Sequence, residues 1–241
     1  MKNWTLRSEQ FGALWEGTGQ DRVPHPFDVV SSIPTYGAYR AEQDRIRAEF
    51  TGPENAELKI VLQVLAEPEA YVEISGVDAD EAPVRIIGCQ RQQSAVVAVQ
   101  QPGPRVNIGG DVLIGCGRSG RLAAQIVGQM PQNSGGRRTF QLLGSAEEVG
   151  YRGSVLQPAS GGSSLPRFER VPPTARAGDG TIRVHRGPRF GPGRDVGYVR
   201  WFDVAGDGRY VVRSHDPRTV HPCTPEQLVG GLDRLLRTAF E

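Results

Sequence analysis

The stretch Tyr71-Val72-Glu73-Ile74-Ser75-Gly76-Val77-Asp78-Ala79-Asp80-Glu81-Ala82-Pro83-Val84-Arg85-Ile86-Ile87 decides the fold class. Before it, apolar residues recur at helical spacing; within it the period drops to two. Tyr71–Ile74 and Val84–Ile87 read as strands flanking the acidic turn Gly76–Pro83. Ser94–Gln101 (SAVVAVQQ) reads as a third strand. An extended piece continues through Arg105–Ile108 and Asp111–Ile114, and a helix over Gly120–Met130 is closed by Pro131. Antiparallel strands in close succession followed by a helix predict an α+β protein rather than α/β.

Upstream, the first 70 residues read as helical. Ser8 is the expected N-cap of a helix burying Phe11, Leu14 and Trp15 at i, i+3 and i+4. Pro24 and Pro26 make Val23–Phe27 an extended connector, because each proline restricts itself and its predecessor. A second helix is expected over Thr35–Phe50. A third, over Asn55–Ala66, buries Leu58, Val61, Leu62 and Leu65 before Pro68. Downstream, Thr181–His185, Gly197–Val204 and Arg209–Arg213 alternate as strands, the last two joined by Ala205-Gly206-Asp207-Gly208, a hairpin signal. The chain closes in a helix with Thr224 as N-cap, Pro225 at the first position and Gln227 completing a capping box. Its apolar stripe is Leu228, Val229, Leu232, Leu235, Leu236 and Ala239.

The 241 residues suit one domain over 1–241 with an ample core. Its expected parts are a first half at about 1–156, a Gly/Ser/Pro-rich junction at about 157–180 and a second half at about 181–241. Glycine and proline fill 49 positions, too many for a helical bundle, and 19 of them fall within residues 131–193. The run Gln157–Ser164 (QPASGGSS) is the expected linker. Two segments echo one another at an offset of 84: Gly103-Pro104-Arg105 before Asp111-Val112, and Gly187-Pro188-Arg189 before Asp195-Val196. This suggests an internal duplication built on one joined sheet.

A formal charge of +1 argues against a nucleic-acid binder. No apolar run is long enough for membrane insertion, and the N-terminus lacks secretory-signal chemistry, which predicts a cytoplasmic protein. Twenty-six of the 28 basic residues are arginine, a bias that GC-rich coding explains. Cys89, Cys116 and Cys223 lie far apart, as expected for reduced, buried thiols.

One motif suggests enzymology. Gly115-Cys116-Gly117-Arg118-Ser119-Gly120 is a G-x-G-x-x-G between a β run and a helix, with Arg137 and Arg138 placed to meet a 2′-phosphate. This would make the protein an NAD(P)-binding oxidoreductase. Against it, no acid lies near Phe140 and no second βαβ unit follows. Asp203 and Asp207 with Gly206 and Gly208 resemble a fragment of a calcium loop, but the terminal glutamate is absent and a hairpin turn explains them. His25, His185, His215 and His221 have no ligand spacing, although His215 and His221 could meet Asp216 or Cys223. Glu147-Glu148 reads as a solvated pair.

In their order, the segments resemble the EspG family, the secretion-associated chaperones of mycobacterial-type type VII (ESX) systems of actinobacteria. The resemblance spans nearly the whole chain. It is carried by Trp4-Thr5-Leu6 with Phe11, the Pro24–Phe27 connector, Leu62–Pro68 leading into the Tyr71 strand, and the Leu122–Pro131 helix end. More specific are Gly180–Val184 with Gly187-Pro188-Arg189, then Trp201–Val204 and Gly206–Tyr210. The resemblance implies a quasi-two-fold α+β domain with a central, largely antiparallel sheet flanked by helices. It implies binding of PE–PPE heterodimers at the tip of the PPE protein, with no catalytic residues, metal or cofactor, in a monomer or weak homodimer. It places the partner-binding surface on Asp78, Asp80 and Glu81 of the acidic loop. Ile182, Arg183, Val184 and His185 of a strand, and Leu232 and Leu236 of the last helix, complete it. The short middle of the chain departs from the family pattern.

Overall fold

The computed structural model describes residues 2–105, 108–138, 140–142, 155–158, 169–170 and 176–241. It opens on a strand, not a helix: β1 (Lys2–Leu6) pairs antiparallel with a strand a hundred residues downstream, Trp4 opposite Ile114 and Leu6 opposite Val112. Five residues cannot sustain a helix of their own, and a distant partner leaves no trace in local periodicity. The expected helices then follow as α1 (Ser8–Glu16), α2 (Tyr36–Glu49) and α3 (Ala56–Ala66). Arg7 rather than Ser8 is the N-cap of α1, its N–H donating to Gln10 Oε1 at 3.0 Å.

Four strands then form a meander: β2 (Ala70–Val77), β3 (Pro83–Arg91), β4 (Ser94–Pro102) and β5 (Gly109–Arg118). The two extended pieces expected around Arg105 and Asp111 give one strand, which starts at Gly109. A single 3₁₀ turn leads into α4 (Leu122–Val127), shorter than the helix expected over 120–130. Three short strands, β6 (Phe140–Leu142), β7 (Val155–Pro158) and β8 (Glu169–Arg170), come next. Gln157 and Pro158 of the expected linker end β7; the rest of the linker and Glu147-Glu148 lie outside the described residues.

A second meander follows: β9 (Arg176–Arg186), β10 (Arg194–Val204), β11 (Gly208–Arg213) and β12 (Asp216–Pro222), then α5 (Pro225–Thr238). β12 replaces the turn expected around His215 and His221. Its prolines stand at or beside its ends, where the missing N–H groups do least harm. The β10–β11 hairpin turns on Gly206, whose φ of 73° a side chain would resist. In α5, Thr224 Oγ1 accepts from Gln227 N at 3.3 Å while Gln227 Oε1 accepts from Thr224 N at 2.9 Å.

The strand order is β1-β5-β4-β3-β2-β9-β10-β11-β12-β6-β7-β8. At its centre β2 runs antiparallel to β9, with Val72 opposite Val184 and Ile74 opposite Ile182. A four-stranded meander followed by a helix therefore occurs twice, the copies meeting back to back. The topological repeat does not follow the 84-residue echo. Gly103–Arg105 belongs to the β4–β5 turn, the third of its meander, whereas Gly187–Arg189 belongs to the β9–β10 turn, the first of its own. Equivalent strands are further apart: Pro83 opening β3 corresponds to Arg194 opening β10, 111 residues on. The echo matches two hairpin turns of similar composition, not two copies of one position.

Alternation along the strands divides the core. One face carries Val72, Ile74, Val84, Ile86, Ile182, Val184, Val199 and Trp201 under α4 and α5. The other carries Tyr71, Ile87, Cys89, Val96, Ala98 and Ile114 under α1 and α3. Gly88 lets α4 sit close to the sheet, since a Cβ there would lie 2.2 Å from Ile126 Cδ1. Leu228, Leu232 and Leu236 of α5 are buried, each contributing about 1.5–3 kcal/mol. Among the described residues, no helix is long and apolar enough to cross a membrane.

Candidate partner-binding surface

The acidic loop is a tight turn organised by one of its own acids. Asp78 Oδ1 accepts the N–H groups of Asp80 and Ala82, both at 2.9 Å, and Asp78 N donates to Ala82 O at 2.9 Å. Asp78 is therefore committed to the turn, while Asp80 and Glu81 are exposed at its tip. Glu81 adopts a φ of 61°, the left-handed conformation that closes the loop.

The strand residues separate by parity. Ile182 and Val184 are 1% and 0% exposed in the core beneath α4 and α5, and Leu232 and Leu236 of α5 are buried in the same core. These four side chains form one interior cluster, with no free surface in this chain. Arg183 and His185 point to the opposite face. Arg183 is exposed and lies 3.6 Å from Asp195. The structure thus leaves Asp80, Glu81 and Arg183 exposed, His185 half-buried, and draws the four apolar residues inside.

Around His185 lies a group that residue patterns did not single out. Its ring stacks on Tyr71 with centroids 4.7 Å apart. Arg189, from the β9–β10 turn, places its guanidinium 4.2 Å from the Tyr71 ring centroid and pairs with Glu73 at 2.6 Å. It also donates to Leu65 O at 3.4 Å and to Cys89 Sγ at 3.4 Å. The Arg189 side chain is 3% exposed and that of Glu73 13%. The available signal was Glu73, a lone acid in an otherwise apolar strand.

Burial holds the His185 imidazole below its ordinary value, against the opposing pull of Glu73 and Asp195. As pH falls, the unfolded chain takes up this proton before the folded one does. Stability is kept above the unfolded histidine value of about 6.5 and is lost as pH drops through it. The urea midpoint is expected to fall between about pH 7.5 and 5.5, and to fall less in His185→Gln. An unchanged slope in that variant would remove His185 as the cause.

The motif that suggested an oxidoreductase has another use. Gly115, Cys116 and Gly117 lie within β5, opposite Val97, Val96 and Ala95 of β4, with β1 on the other side of Gly115 and Cys116. Their backbone groups belong to the sheet ladder, and the helix beyond is only six residues long. Arg137 and Arg138 turn their backbone N–H groups to Tyr210 Oη, both at 3.2 Å. The calcium-like acids are also engaged: Asp203 with Arg209, and Asp207 accepting from Tyr210 Oη at 2.5 Å. Of the histidines, His221 meets Asp216 at 2.9 Å. Among the described residues, no three His, Cys, Asp or Glu side chains group as a metal site.

The sequence model of the EspG family matches residues 8–234. The chain belongs to the EspG family. No curated protein sequence matches it. Among solved structures, this EspG-family chain is similar in fold to the Mycobacterium tuberculosis type VII secretion system chaperone EspG5, solved in complex with the PE25–PPE41 dimer. The TM-score is 0.59 at 14% identity, over 98% of this chain and 96% of that one. The α+β class and the antiparallel central sheet expected of an EspG protein are those observed.

Proposed function

We propose that this EspG-family chain is a cytoplasmic secretion chaperone that binds PE–PPE heterodimers at the tip of the PPE protein. It keeps them soluble and directs them to a type VII (ESX) secretion system. It acts by binding, without catalysis, metal or cofactor, as a monomer or weak homodimer. The observation that carries this reading is the family match over residues 8–234. The near end-to-end fold similarity to EspG5, whose structure holds a PE–PPE dimer, supports it.

The residues we assign to the partner are the exposed Asp80, Glu81 and Arg183 and the half-buried His185. Asp78 shapes the loop, while Ile182, Val184, Leu232 and Leu236 hold strand and helix in place beneath the contact face. Charges of both signs at a rim set register and choice of partner more than raw affinity. Co-expression with its cognate PE–PPE pair is expected to give a soluble complex with one copy of each chain. The double variant Asp80→Arg/Arg183→Glu is expected to weaken it about tenfold, or about 1.4 kcal/mol. Failure to bind any PE–PPE pair of its genome would overturn the function. Undiminished binding by the double variant would overturn the surface.

A further inference from the structure

A cleft of about 240 Å³ opens between α5 and the β10–β11 strands. Its floor is apolar: Val199, Val211, Cys223 and Leu228 are each at most 6% exposed, with the half-buried Leu235 on one wall. Its mouth is cationic, with Arg213 half-buried and Arg234 exposed. Neither arginine pairs with a carboxylate among the described residues. Elsewhere Arg47, Arg85, Arg189 and Arg209 each do.

The helix wall is lowered by a glycine. Gly231 lines the cleft in the middle of α5, where glycine costs about 1 kcal/mol relative to alanine. Packing does not require it: a Cβ there would meet nothing nearer than Arg234 Nη2 at 4.0 Å. The absent side chain is what leaves the volume open, at a cost in helix propensity that no contact offsets.

We propose that this cleft binds a small amphipathic carboxylate, a medium-chain acyl group whose tail lies on the Val199–Val211–Leu228 floor and whose head meets Arg213 and Arg234. The volume suits a tail of about eight heavy atoms, at the ~30 Å³ that a water occupies in the liquid. An apolar pocket with a few convergent polar groups is the usual form of a small-ligand site, and the guanidinium fork matches a carboxylate. The site lies on the sheet face opposite Arg183 and His185, so it stands or falls separately from the partner surface.

Calorimetric titration of the whole chain with octanoate is expected to show saturable binding at submillimolar to millimolar concentration. Octanol should bind at least tenfold more weakly. Arg213→Gln/Arg234→Gln should lower octanoate affinity at least tenfold. Gly231→Leu, which fills the cleft while improving helix propensity, should abolish binding without lowering Tm. The proposal is overturned if octanoate does not bind, if octanol binds as well, or if Gly231→Leu binds unchanged. Capture of a peptide C-terminal carboxylate in place of octanoate overturns it too.

Discussion

Replacing Arg209 by methionine is expected to cost about 3–5 kcal/mol of folding stability. Arg209 and Asp203 are 3% and 4% exposed and meet as a fork, Nε to Oδ1 and Nη2 to Oδ2, both at 2.8 Å. The same guanidinium donates to Pro131 O at 2.7 Å and lies 4.8 Å from the Trp201 ring centroid. It therefore fastens the segment leaving α4 to the hairpin of the second meander. The pair itself need not stabilise the fold relative to apolar residues, because two desolvated charges lose much of what their attraction returns. The large effect comes from asymmetry: methionine fills the space but leaves the Asp203 carboxylate buried without its counter-ion. Asp203→Leu/Arg209→Met is accordingly expected to recover most of the loss. Urea unfolding with an unchanged m-value measures both. A single-variant loss below about 1 kcal/mol would show a pair screened by solvent, as at an exposed site.

This pair also marks the limit of what was legible in the sequence. Asp203 and Asp207 look alike along the chain, two acids spaced like ligands around a Gly-Asp-Gly turn. Asp203 instead neutralises an interior arginine, and Asp207 accepts from Tyr210 Oη. Their partners are decided by strand register, which residue spacing does not give. Local signals fared better. Period two marked β2, β3, β4, β10 and β11, and the Thr224–Gln227 box fixed the start of α5 to the residue. What escaped depended on distant pairing: β1 against β5, β12 with its flanking prolines, and the repeat whose true spacing differs from the 84-residue echo. The candidate surface shows the same division. Exposed turn acids could be read from composition, whereas the inward parity of Ile182 and Val184 depends on which sheet face the helices cover.

Arg189→Met is the companion prediction, and its second readout is particular to this site. Arg189 crosses the junction of the two meanders: it rises from the β9–β10 turn to Glu73 on β2, Leu65 O at the end of α3 and Cys89 on β3. Losing it strands the Glu73 carboxylate and removes the cation over Tyr71, so a loss of about 3–5 kcal/mol is expected at pH 7.5. Glu73→Leu/Arg189→Met should restore much of it. In the single variant, His185 is left beside Glu73 with its Nε2 3.7 Å from Oε2, and it offers a positive charge only when protonated. Burial is the main cause of the lowered His185 proton affinity and Arg189 a lesser one, so removing Arg189 raises that affinity in the folded state without abolishing the effect of burial. The folded and unfolded values then draw closer, and the acid-side loss of stability shrinks in part. The gap between wild type and Arg189→Met should therefore narrow from pH 7.5 to pH 5.5, as tracked by urea midpoints. A gap that stays constant with pH would mean that Arg189 does not influence the protonation of His185.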